Sequence, residues 1–149
     1  MRKINLIVLH CSATREAMEY TPEQLERDHK ARGFFSAGYN YYIRRSGEVV
    51  PMRPPEQIPA HAKGYNAFSL GICYEGGLDA DGHPKDTRTE RQKLSIRGLL
   101  LLLLVRYPGC RICGHRDLSP DRNGDGKITR DEWLKECPCF DAVEEYGIL

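Results

Sequence analysis

The chain opens on a short, β-branched and nearly continuous apolar run, Ile4-Asn5-Leu6-Ile7-Val8-Leu9, which predicts a buried strand over residues 3–9. Ser69 to Tyr74 reads the same way and is followed by the Gly76-Gly77 break. Tyr39 to Arg45 and Glu48 to Met52 flank Ser46-Gly47, which predicts a hairpin. Thr21-Pro22-Glu23-Gln24 carries three helix-start signals: an N-cap threonine, a proline at the first helical position and a capping-box glutamine. That helix is expected to run to about Ala31 and stop at Gly33. The longest helix is predicted from Thr89 to Tyr107, where Pro108-Gly109 ends it. Its leucine run, Leu99 to Leu104, implies burial on most faces and packing against the sheet. Arg111 to Gly114 reads as a short strand, and Arg130 to Cys137 and Phe140 to Tyr146 as short C-terminal helices. The mixture predicts an α/β fold: a single domain with a central mixed β-sheet flanked by helices.

Composition narrows this picture. At 149 residues the chain fits one domain, 1–149, able to bury a core without disulfides. A net charge of +1 with both signs interspersed provides no strong field toward nucleic acid or anionic lipid. No nucleic acid or membrane partner is therefore expected, and the chain is expected to be a monomer. The six cysteines read as free thiols, with Cys11 and Cys73 acting as small hydrophobes inside apolar runs. Cys110 and Cys113 have CxxC spacing, but no second CxxC exists to complete a zinc site. Asn5 interrupts the first apolar run, which ends at His10, so no signal peptide is recognised. Synthesis in the cytoplasm is expected, with any action outside it following release.

Two groups of residues carry candidate chemistry. His10 ends the first strand, His115 sits in Gly114-His115-Arg116-Asp117, and Cys137 sits in Lys135-Glu136-Cys137-Pro138. Two imidazoles and a thiolate suit zinc, and three protein ligands leave a fourth position open. Taken singly, each histidine reads first as a hydrogen-bonded residue and the cysteine can be an inert thiol, so spacing leaves the ligand set open. Residues 121–132 match a twelve-residue calcium loop. Asp121, Asn123 and Asp125 occupy positions 1, 3 and 5, and Gly126 occupies position 6. The Lys127 carbonyl falls at 7, Thr129 at 9 and Glu132 at 12. Pro120 argues against an incoming helix, so a solvated turn competes with a Ca2+ site.

Several segments together resemble one family. They are residues 7–14 (IVLHCSAT), 38–43 (GYNYYI), 61–66 (HAKGYN), 69–73 (SLGIC), 114–120 (GHRDLSP) and 135–141 (KECPCFD). In this order, over nearly the whole chain, they resemble the zinc-dependent N-acetylmuramoyl-L-alanine amidases of the phage lysozyme and peptidoglycan-recognition superfamily. The resemblance implies hydrolysis of the amide between N-acetylmuramic acid and L-alanine, with peptidoglycan or a muropeptide as substrate. It places Zn2+ on His10, His115 and Cys137, and catalytic roles on Tyr39 and Lys135. It makes His61 and Asn66 substrate contacts. His29 is expected to be solvated in its charged helix, and His83 to lie in a turn. Relatives often carry histidine where this chain has Asn40, which puts any role for position 40 at the site in doubt. A non-catalytic peptidoglycan receptor of the same fold is the competing reading; such receptors typically lack the cysteine or the tyrosine. A nucleobase deaminase is disfavoured because the chain has no H-x-E motif.

Overall fold

The computed structural model describes residues 2–149. Its strands are β1 (Leu6–Cys11), β2 (Thr14–Arg15), β3 (Tyr41–Ile43), β4 (Val49–Pro51), β5 (Ser69–Tyr74), β6 (Gly77–Leu78) and β7 (Arg111–Gly114). Its α-helices are α1 (Pro22–Ala31), α2 (Glu90–Arg106) and α3 (Ala142–Tyr146). The main sheet has the order β4-β3-β5-β1-β7, with β3, β5, β1 and β7 parallel and β4 antiparallel at one edge. The most apolar run, β1, therefore lies inside the sheet with every residue buried, as expected for a strand covered on both faces.

Alternation along the strands divides the core. Ile7, Leu9, Leu70, Ile72 and Tyr74 face Ile96, Leu99, Leu100 and Leu103 of α2, with Phe140, Ala142 and Tyr146 beside them. On the other face Cys73 and Tyr42 meet Leu25 of α1, and Leu6 and Val8 meet Cys113. His10 shares the parity of Leu6 and Val8, so its ring emerges on the α1 face at the carboxyl end of β1. Loops at strand carboxyl ends are the usual place for ligand sites in open parallel sheets.

Both helix starts follow the sequence signals. Thr21 and Thr89 each accept from the amide three residues on, with Gln24 and Gln92 completing reciprocal capping boxes. The leucine-rich helix departs from expectation. Leu94, Leu102 and Val105 are 70%, 70% and 83% exposed, and Leu101 is exposed too. A helix lying on one sheet face buries one stripe whatever its composition, and no second layer covers the outer stripe. The predicted helix at 130–137 is only a single 3-10 turn, Arg130–Glu132, and α3 starts later than expected, capped by Asp141. The two-residue ladder between β2 and β6 has no sequence signal. No helix among the described residues is long and apolar enough to cross a membrane.

Candidate active site

A cleft of about 640 Å³ opens on the α1 face, lined by His10, His115, Cys137, Tyr39, His61 and Lys135 among others. Ligand atoms of His10, His115 and Cys137 lie within 4.8 Å of one another. Cys137 Sγ is 3.8 Å from His10 Nδ1, and the His10 and His115 ring centroids are 4.6 Å apart. Donors about 2.0–2.3 Å from a tetrahedral centre are themselves roughly 3.3–3.8 Å apart, so this set fits a zinc ion. Three separate segments bring the donors together: β1 supplies His10, the turn after β7 supplies His115, and the loop before α3 supplies Cys137.

The electrostatics suit a cation. Burial, reinforced by His61, His115 and Lys135, holds His10 well below its usual range. Burial and then Lys135 also lower His115. Both imidazoles are thus neutral at neutral pH, the form that ligates metal. The Cys11 backbone N–H donates to Cys137 Sγ at 3.2 Å, which holds the sulfur beside the end of β1.

His61 is tied into this set. Its Nδ1 lies 2.7 Å from His10 Nε2, and its Nε2 lies 2.9 Å from Ser69 Oγ. With His10 Nδ1 turned to Cys137, Nε2 is the ring position left to donate. His61 then accepts at Nδ1 and donates to Ser69. This is how ligating histidines are usually oriented. Gly71 makes it possible, because a Cβ there would stand 2.7 Å from His61 Cγ. Asn66 Oδ1 accepts from the His61 and Ala62 amides at 2.9 and 3.0 Å, so it shapes the loop that carries His61. Both residues line the cleft, but these polar atoms already have partners within the protein.

Tyr39 packs tilted against His10, with ring centroids 5.0 Å apart. Burial, and then the Cys73, Cys137 and Cys11 thiols, raise its phenol well above the usual range, so it is a hydrogen-bond donor. Lys135 is exposed at the rim. His29 corrects the expectation of a solvated residue. It is buried, its Nδ1 accepts the Gly38 N–H at 2.8 Å, and its ring lies 5.4 Å from Tyr39. His29 thereby helps fix the backbone that presents Tyr39, a role its charged helix hides. Asn40 is also buried. Its Oδ1 accepts from Gly71 N and its Nδ2 donates to Arg53 O, at 2.9 and 3.0 Å, so it ties β3 to its neighbours rather than touching the donors.

In the 121–132 loop, Asp121, Asp125 and Glu132 gather their oxygens. Glu132 is buried and accepts from the amides of Arg122, Asn123 and Thr129, and Asp121 accepts from Gly124 and Gly126. The loop is thus closed by its own amides. Cys113 is buried and Cys110 half-buried, and both are free thiols.

The family model described as N-acetylmuramoyl-L-alanine amidase matches residues 1–132. The chain belongs to this amidase family. An endolysin of Klebsiella phage KP32 is 36% identical over 135 residues, covering 91% of this chain and 80% of that one. An uncharacterised protein of Haemophilus influenzae is 53% identical over 96 residues, 64% of this chain and 83% of that one. The solved N-acetylmuramoyl-L-alanine amidase LysC from Clostridium intestinale superposes with a TM-score of 0.74 at 27% identity, covering 97% of this chain and 82% of that one. Drosophila PGRP-LB shares the fold, with a TM-score of 0.69 at 20% identity over 93% of this chain and 76% of that one. The protein is an N-acetylmuramoyl-L-alanine amidase with peptidoglycan as its substrate, and the receptor reading gives way to an enzyme.

Proposed function

We propose that the amidase is zinc-dependent, with His10, His115 and Cys137 as ligands, and that it lyses the cell wall as an endolysin. The convergence of three donor atoms from distant segments within 4.8 Å on the cleft wall carries this reading. A zinc ion held by His10, His115 and Cys137 would supply Lewis-acid polarisation and a more acidic water. The chain's own groups do the rest. The Tyr39 phenol, kept protonated by burial, donates a hydrogen bond toward the reacting oxygens. The Lys135 ammonium stands at the rim where the tetrahedral oxyanion develops, and a cation placed there stabilises the charge. His61 orients His10, and Asn66 holds the loop that meets the sugar–peptide junction. Arg32, Lys63 and Lys135 line the cleft, and no carboxylate among the described residues does, which suits the carboxylate-bearing stem peptide. Residues 1–149 act as one catalytic domain.

The test is mass-spectrometric product analysis of peptidoglycan and of soluble muropeptides, with bound zinc measured alongside. Free stem peptides beginning at L-alanine are expected from the wild type. None are expected from Cys137→Ser, which also loses zinc. Tyr39→Phe and Lys135→Ala should keep zinc and lose about 10²–10³-fold in turnover. Wild-type turnover in both variants sinks their assignment. Release from soluble muropeptides alone, with intact wall untouched, favours recycling over lysis.

Calcium in the loop of Asp121, Asn123, Asp125, Lys127, Thr129 and Glu132 belongs to the same proposal. The ion would order the segment leading to Lys135 and Cys137. Calcium added to chelator-treated, zinc-reloaded protein is expected to raise the melting temperature, and Glu132→Gln to remove that rise. No shift on calcium addition ends the idea.

A further inference from the structure

Cys11 and Cys139 bring their sulfurs to 3.9 Å. Neither belongs to the donor triad, yet each adjoins it: Cys11 follows His10, and Cys139 lies two residues beyond Cys137. Cys11 is buried at the end of β1 and Cys139 is half-buried. Cys139 has φ +69°, a left-handed backbone that L-residues seldom adopt, in a turn closed by its N–H donating to Glu136 O at 2.8 Å. Gly77 packs against both thiols. A Cβ at Gly77 would stand 2.5 Å from Cys11 Sγ, and Cys139 Sγ lies 3.4 Å from the Gly77 carbonyl oxygen. By contrast, Cys110 and Cys113 are three residues apart along an extended segment, roughly 10 Å, beyond the reach of a disulfide.

We propose that Cys11 and Cys139 form a redox modification site, an intramolecular disulfide that staples the Cys137 segment to β1 without consuming a metal ligand. The oxidant is a small disulfide of the glutathione class. The half-buried Cys139 sulfur attacks one sulfur of the oxidant and gives up its proton. The first glutathione leaves as a thiolate that takes up a proton. Cys11 then attacks the Cys139 sulfur in the mixed disulfide and expels the second glutathione. Two protein thiols are oxidised, and one glutathione disulfide is reduced to two thiols. The sulfurs close from 3.9 Å to the covalent distance of about 2.05 Å. The staple joins the two chain ends that carry His10 and Cys137, closing nearly the whole chain into one loop, the case in which a cross-link restricts the unfolded state most. In a reducing compartment the pair stays open, and in an oxidising one it closes.

Cys137 is the competitor, since its sulfur also lies against Cys11, 3.2 Å from the backbone nitrogen. The experiment therefore incubates the full chain with zinc and oxidised glutathione, alkylates the remaining thiols and digests with trypsin. The expected product joins Ile4–Arg15 to Glu136–Leu149, with fragment ions placing the bond on Cys139 and the alkyl group on Cys137. The cross-link should persist in Cys137→Ser and vanish in Cys139→Ser. Oxidised wild type should melt about 5 °C or more above its reduced form, with bound zinc unchanged. Fragment ions placing the bond on Cys137, or six alkylated thiols after oxidation, overturn the proposal. Fragment sequencing of the wild type decides this even if a variant misfolds, and none of these readouts depends on amidase turnover.

Discussion

His10 and His61 are imidazoles whose protonation the fold opposes. Burial, with His115, Arg2 and Arg53 nearby, pushes His61 down from 6.5 to about 3, and His10 is lowered in the same direction. Between about pH 3 and 6.5 the unfolded chain binds protons that the folded chain refuses. The stability these groups contribute is complete above 6.5 and is lost as pH falls toward 3. Metal-free protein should therefore hold a level melting temperature above about pH 7 and lose it steadily on acidification below 6.5. His61→Gln should flatten that slope. An equal slope in His61→Gln would show that other groups carry the acid sensitivity.

At the scale of elements, the site depends on how closely its neighbours approach β5. Gly71 lies mid-strand with the His61 ring against it, and Gly38 stands where a Cβ would come 2.2 Å from the Ala60 carbonyl oxygen. A side chain at either position moves a functional group rather than merely crowding the core. Gly71→Ala should displace His61, free His10 Nε2 and weaken zinc binding about 10–100-fold, while costing about 1–3 kcal/mol for overpacking. Isothermal titration with zinc beside thermal unfolding checks both. Wild-type zinc affinity in Gly71→Ala would mean that His61 does not position His10.

For the whole molecule, the question is what holds the C-terminal segment bearing Cys137 against the sheet. Arg88 is the buried link. Its guanidinium meets Asp86 at 2.9 Å, Glu145 at 2.7 Å and the Tyr146 hydroxyl at 2.9 Å, and it lies 3.4 Å from the Phe140 ring centroid. Tyr74 adds its hydroxyl, which donates to Pro138 O at 2.6 Å. The Arg88 side chain is 2% exposed, but its carboxylate partners are 35% and 38% exposed, so solvent screens part of the pairing. Arg88→Ala should cost about 2 kcal/mol and release zinc at lower temperature than wild type, although Arg88 touches no ligand. Unfolding followed by both circular dichroism and zinc release tests this. Unchanged zinc release would uncouple the anchor from the metal centre.

Much of this protein was determined locally along the chain. The capping boxes at Thr21 and Thr89, the strands Ser69–Tyr74 and Arg111–Gly114, and the α/β class follow from interactions a few residues apart, so they are legible in order and spacing. The segments around His10, Tyr39, His115 and Cys137 also marked the family. Tertiary structure decided what depends on packing across the chain. It set which stripe of α2 is covered, and it turned His29 and His61 inward onto Tyr39 and His10. It also buried Glu132 among the loop amides and laid Cys139 beside Cys11. Each of these depends on a partner brought near by sheet order rather than by sequence, and a through-space contact between residues 11 and 139 leaves no periodicity to read.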